Sequence, residues 1–139
     1  GSEMCIRAGS RAIILSSKVK GTVYPNTFKK NTYNNVKVNS SYVKTLTVKS
    51  LSGKSKSAKT ATLNWKKLSS ASGYVVYRST SKNGSYTKIS TIGKNKTITY
   101  KDSKLKSKST YYYKIVPYTT IGKTTVYGVD SKIVSIKIK

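Results

Sequence analysis

Ser109 to Thr120 (STYYYKIVPYTT) narrows the choice of fold more than any other part of the sequence. Its bulky residues alternate at a period of two, which sends Tyr111, Tyr113 and Ile115 to one side of a pleated backbone and Tyr112, Lys114 and Val116 to the other. A central strand is expected. Leu105 precedes it, and a short polar loop, Lys106 to Ser109, separates the two. That layout lets a tyrosine hydroxyl fold back onto upstream backbone at the corner of a β-sandwich, so Tyr111 is the candidate tyrosine corner.

From about Ser41 onward the sequence is a regular series of strand-like runs separated by turn residues, seven in roughly a hundred residues, which is the spacing of an all-β sandwich. The first run is Val43 to Leu51. A polar loop, Ser52 to Lys59, leads to Thr60 to Leu68, where Ala61, Leu63 and Trp65 share a face. Trp65, the sole tryptophan, reads as a core anchor because its neighbours at spacing two are apolar. In Tyr74 to Ser79, Tyr74 and Val76 are expected inside, Val75 and Tyr77 outside. Asn83-Gly84 supplies a tight hairpin, since these residues tolerate the positive φ that both central positions of a type I′ turn require. Strands follow over Tyr86 to Ile92 and Thr97 to Lys101, and Asp102 opens the turn toward Leu105. After Thr120, a loop at Ile121-Gly122-Lys123 leads to a last strand over Thr124 to Tyr127 and Lys132 to Lys139, bulged or kinked between Gly128 and Ser131. No segment longer than a turn carries a helical apolar stripe, so no helix is expected. The expected core is Leu63, Trp65, Tyr74, Val76, Tyr100, Leu105, Tyr111, Tyr113 and Ile115.

Residues 1–40 are weakly patterned. Arg11 to Lys20 and Val36 to Asn39 are candidate short strands and Tyr24-Pro25-Asn26 a turn, while Gly1-Ser2 resembles the remnant of a cleaved tag. With 7 bases, 1 acid and few apolar residues, this segment reads as an N-terminal arm, a linker or the tail of a preceding domain, leaving 41–139 as the sandwich.

Residues 41–139 resemble a fibronectin type III module of the kind found in extracellular proteins of Gram-positive bacteria. The likeness is carried by Leu63-Asn64-Trp65, by Gly73-Tyr74-Val75-Val76-Tyr77-Arg78-Ser79, by Ser81 to Ile89 across the hairpin, and by Tyr100 to Asp102, Leu105 and Thr110 to Lys114. The family usually places Pro-Gly in the loop before the tyrosine corner; Ser107-Lys108 stands there in this sequence. The resemblance implies a seven-stranded immunoglobulin-like sandwich and a non-catalytic role, as a spacer between other domains or as part of an adhesin at the cell surface.

The residue inventory points the same way. Histidine is absent, which removes the commonest general base near neutral pH and the commonest metal ligand. Glu3, Asp102 and Asp130 are the only acids and lie far apart in sequence, so general acid-base catalysis and calcium or zinc coordination are not expected, and no cofactor is. Cys5 is the single cysteine; no internal disulfide can form, and stability must come from packing. The longest purely apolar run, Ala12 to Leu15, is too short for membrane insertion.

Charge is the one feature that points toward a ligand. Lys and Arg number 28 against 3 acids, a net +25, and Arg occurs only at positions 7, 11 and 78. Such an excess favours anionic partners, although lysine alternating along strands also serves as a solvated face and protects sheet edges. On the outward face, Tyr77 and Tyr112 beside Lys114 form a candidate ligand face, where phenol rings stack on sugars and an ammonium reads an acidic group. Cross-strand aromatic pairs stabilise a sheet without any ligand, by about 0.2 to 1 kcal/mol each. The partners in view are therefore an anionic cell-wall polymer, acidic glycan or nucleic acid on that face, and neighbouring domains or subunits engaged through residues 6–40, as in a filament or surface layer. The scarcity of Arg speaks against base-specific nucleic-acid recognition.

Overall fold

The computed structural model describes residues 2–8, 11–17, 36–38, 40–121 and 124–139, with side chains described from residue 43. The first part is a three-stranded antiparallel sheet of β1 (Ser2–Ala8), β2 (Arg11–Ser17) and β3 (Val36–Val38), in which β2 is central. The strands expected at 11–20 and 36–39 thus appear over Arg11–Ser17 and Val36–Val38, residues 18–20 and 39 lying outside the described set. The strand from Ser2 is an addition, since the sequence pattern gave Gly1-Ser2 no structural role. The turn expected at Tyr24-Pro25-Asn26 lies outside the described residues.

Among the described residues a single helix, α1 (Ser40–Thr45), corrects the expectation of none. At six residues it is too short to display a 3.6-residue stripe. It is closed by Leu46 N donating to Val43 O at 3.0 Å and by Thr47 Oγ1 donating to Lys44 O at 2.8 Å. The expected first strand, Val43 to Leu51, is therefore also corrected. Leu46, Val48 and Leu51 are buried, but the segment is irregular and Ser50 takes a positive φ of 58°. The first strand of the sandwich comes later, as β4 (Ser52–Lys54), within the stretch expected to be a loop.

The sandwich then follows in order: β5 (Ala61–Asn64), β6 (Gly73–Ser79), β7 (Thr87–Ile92), β8 (Thr99–Asp102), β9 (Thr110–Ile121), β10 (Thr124–Tyr127) and β11 (Val134–Lys137). One sheet has the order β4-β5-β8; the other runs β10-β9-β6-β7, with β11 also paired to β9. β10 meets residues 118–121 of β9 and β11 meets residues 110–113, while Gly128 N and Ser131 N donate to Pro117 O and Ile115 O between them. The two form one kinked strand along a single edge of β9, so the sandwich has the seven strand lines of an all-β immunoglobulin-like fold. The β9–β10 loop residues, 122 and 123, fall outside the described set.

Between the sheets lie Leu63, Trp65, Tyr74, Val76, Leu105, Tyr113, Ile115, Ile136 and Ile138, with Tyr100 and Tyr111 partly buried against them. Trp65 and Tyr74 meet edge to face, ring centroids 5.4 Å apart at 72°. Tyr74 is fully enclosed, yet its hydroxyl donates to Asn95 O at 2.8 Å and accepts from Leu68 N at 3.0 Å. The Tyr111 hydroxyl accepts from Lys106 N at 3.1 Å, the folded-back bond of a tyrosine corner. Val75, expected to face outward, is only 2% exposed. Its register partners Val116 and Thr91 flank it on either side, and neighbours of that size crowd solvent away.

Candidate functional site

β6 and β9 pair so that Tyr77 sits opposite Lys114 and Ser79 opposite Tyr112, which gathers the three residues of the candidate ligand face on neighbouring strands. A register irregularity between Val76 and Tyr77 shifts the pairing of β6 with β7 at this point. The Lys114 ammonium stands 5.5 Å from the centre of the Tyr77 ring and 4.7 Å from that of Tyr86, and donates to Asp130 Oδ2 at 2.8 Å. Tyr86 in turn donates its hydroxyl to Lys82 O at 2.8 Å. Burial pushes the Tyr86 phenol above its ordinary value, against the opposing pull of Lys114. The cation of this face is thus already held by two rings and a carboxylate. Further along the same sheet, Tyr118 and Tyr127 lie with centroids 6.2 Å apart, and Tyr127 is 56% exposed.

The other described acid is placed differently from its expectation. Asp102 ends β8 rather than opening a turn, and it is buried. Its Oδ2 accepts from Arg78 Nη1 at 2.9 Å and from the Tyr113 hydroxyl at 2.8 Å. Burial and the bond to Asp102 push the Tyr113 phenol far above its ordinary value. Burial works against the charge of Arg78, but the hydrogen bond and charge of Asp102 outweigh it and raise the guanidinium further. Arg78 also lies 5.6 Å from the centre of the Tyr111 ring. The cluster ties the two sheets together, and both described carboxylates are engaged by cations. Among the described residues, no group of three or more His, Cys, Asp or Glu is placed to hold a metal ion.

A second concentration of charge escaped the sequence pattern. Lys44, Lys49, Lys66 and Lys67 converge on one cleft of about 590 Å³ with Thr45, Thr47, Leu68, Ser69 and Ser70. These lysines come as two sequence-local pairs, Lys44 with Lys49 and Lys66 with Lys67, and share no motif; the bond from Lys66 N to Lys49 O, 3.1 Å, and the pairing of β4 with β5 bring the two segments side by side.

No protein-family model matches the chain, and no curated protein matches it. Solved structures do. The chain is similar to an Fn3-like protein from Clostridium thermocellum, with 30% identity and a TM-score of 0.55, over 66% of this chain and 88% of that one. It superposes on the FN1–FN3 domains of chicken CNTN1 with a TM-score of 0.55 at 18% identity, spanning 67% of this chain but only 32% of that one. The sixth fibronectin type III domain of human fibronectin type III domain containing protein 3 matches with a TM-score of 0.54 at 20% identity, over 66% of this chain and 83% of that one. These last two share the fold alone. With its sheet order, its folded-back tyrosine and its likeness to the clostridial protein, the chain belongs to the fibronectin type III family.

Proposed function

We propose that the chain is a non-catalytic spacer or adhesion module of an extracellular bacterial surface protein. The observation that carries this reading is the likeness to the Clostridium thermocellum Fn3-like protein, which this chain spans over 88% of its length. Two features of the sandwich support it. Asp102 and Asp130, the described carboxylates, act as structural ties rather than as free acids. The β10–β11 line and the last residues also pin the chain end to the opposite sheet, with Lys59 N donating to Lys139 O at 3.1 Å and Lys139 N donating to Ser55 Oγ at 3.0 Å. These bonds hold the last residues against the loop between β4 and β5 of the opposite sheet. No helix among the described residues is long and apolar enough to cross a membrane.

The test is protease shaving of intact cells of the producing bacterium, followed by mass spectrometry of the released peptides. Peptides from 41–139 released without cell lysis are expected. Retention of the protein inside protease-treated cells would overturn the surface assignment, and turnover of a polysaccharide by the purified chain would overturn the non-catalytic one.

A further inference from the structure

We propose that the cleft between α1 and the turn after β5 is a binding site for the phosphate groups of a linear phosphate polymer. Four lysines, Lys44, Lys49, Lys66 and Lys67, line it, and none of them has an ion-pair partner among the described residues. No acid among the described residues lines the cleft. Like charges gathered in a concavity repel one another, and a concave low-dielectric wall focuses their field outward, so the arrangement favours an anion entering it. Thr45, Thr47, Ser69 and Ser70 share the same walls. The Ser70 hydroxyl is buried and has no hydrogen-bond partner, a cost that a bound oxyanion would remove.

The scaffold beneath is fixed. Leu68 N donates to the Tyr74 hydroxyl at 3.0 Å, Ala71 N to Leu68 O at 3.1 Å, and Asn95 Nδ2 to Ser69 O at 3.5 Å, which holds the turn bearing Ser69 and Ser70. On the other wall, the Thr47 hydroxyl bonds Lys44 O. Lysine supplies compact point charges with no planar fork, which suits tetrahedral phosphate better than bidentate reading of carboxylate, and no arginine among the described residues lines the cleft to supply that fork. A polymer rather than a free ion is the ligand because four cations at one cleft match several phosphates in series. The Lys114 face is unsuited by comparison, its cation being already paired with Asp130. The inference stands apart from the spacer reading: a surface module and an intracellular one could each carry this cleft.

The test uses fluorescently labelled inorganic polyphosphate and the full 139-residue chain, with anisotropy read across a sodium chloride series. The triple variant Lys49→Gln, Lys66→Gln, Lys67→Gln is compared with Lys88→Gln, Lys101→Gln, Lys137→Gln, which removes the same charge from exposed strand positions. The cleft variant is expected to bind at least about tenfold more weakly and to lower the slope of log affinity against log salt by about two to three, against a change under about threefold for the control. Ser70→Ala should weaken binding without lowering the melting temperature. Equal losses in both triple variants, no binding by the parent chain, or equally tight binding of poly-glutamate at matched charge would overturn the site.

Discussion

Tyr113 is the residue on which the two sheets depend most directly, because it is 0% exposed and still carries a hydroxyl that must be satisfied. Asp102 supplies the acceptor. Replacing Tyr113 with Phe leaves most of the packing but removes a hydrogen bond to a charged group, so Tyr113→Phe should cost about 1.5 to 3 kcal/mol at neutral pH in urea unfolding. The phenol's value is raised in the folded state, so its contribution is complete below the ordinary value near 10 and is lost as pH climbs beyond it. The gap between parent and Tyr113→Phe should therefore shrink by about 1.4 kcal/mol at about pH 11, since Phe has no proton to lose. A constant gap would show that the hydroxyl's environment is not the one described. Lys108 offers an opposite case. It stands where the family usually has Gly, and its φ of 64° strains an L-residue. Lys108→Gly relieves about 1 to 2 kcal/mol of strain and costs about 0.5 to 1 in chain entropy, a net gain of about 0.5 to 1 kcal/mol. Lys108→Ala removes the same charge and should show no such gain by thermal melting. The tyrosine corner was legible because its spacing is local. The Arg78–Asp102 pair was not, since 24 residues separate the partners and only the folded register joins them.

Strands with alternating bulky residues and turn residues on both sides could be read directly; β6, β7 and β9 emerge within a residue or two of their expected bounds. The elements that failed share a cause. β4 contains Ser-Gly-Lys, which has no strand propensity, and it forms because Gly53 lets the backbone come close to Leu63 and Ile136. A Cβ there would stand 2.9 Å from Leu63 Cδ2 and would collide with Ile136 Cδ1. Conversely, Val43 to Leu51 alternates well but is taken up by α1 and an irregular segment, because the buried set Leu46, Val48 and Leu51 does not keep a period of two. The lysine cleft belongs to the same class, being assembled by elements whose pairing the sequence did not reveal. A close approach also governs β6. A Cβ at Gly73 would lie 2.6 Å from the Tyr118 hydroxyl and 2.7 Å from its ring carbon Cζ, and would collide with Ile92 O on β7. Because the Ile92 oxygen is backbone, the strand itself must move, and Gly73→Ala should destabilise by about 1 to 3 kcal/mol. An unchanged melting temperature would mean that β6 and β7 can separate without loss.

At the scale of the whole molecule, a net +25 on 139 residues opposes compaction, since the folded chain holds its charges closer together than the unfolded one. The two ion pairs among the described residues offset little of this. Lys114–Asp130 has a carboxylate that is 57% exposed, and a pair of that kind contributes about 0 to 1 kcal/mol, while Arg78–Asp102 is shielded and depends less on salt. The screening length falls from about 30 Å at 0.01 M salt to about 8 Å at 0.15 M, so added sodium chloride removes repulsion acting across the module before it weakens contacts at 2.8 to 2.9 Å. The melting temperature should therefore rise by several degrees over that range and then level off. A chain that owed its stability to ion pairs would do the reverse, and a falling melting temperature would show that the lysines are compensated in the fold rather than left facing solvent and anions.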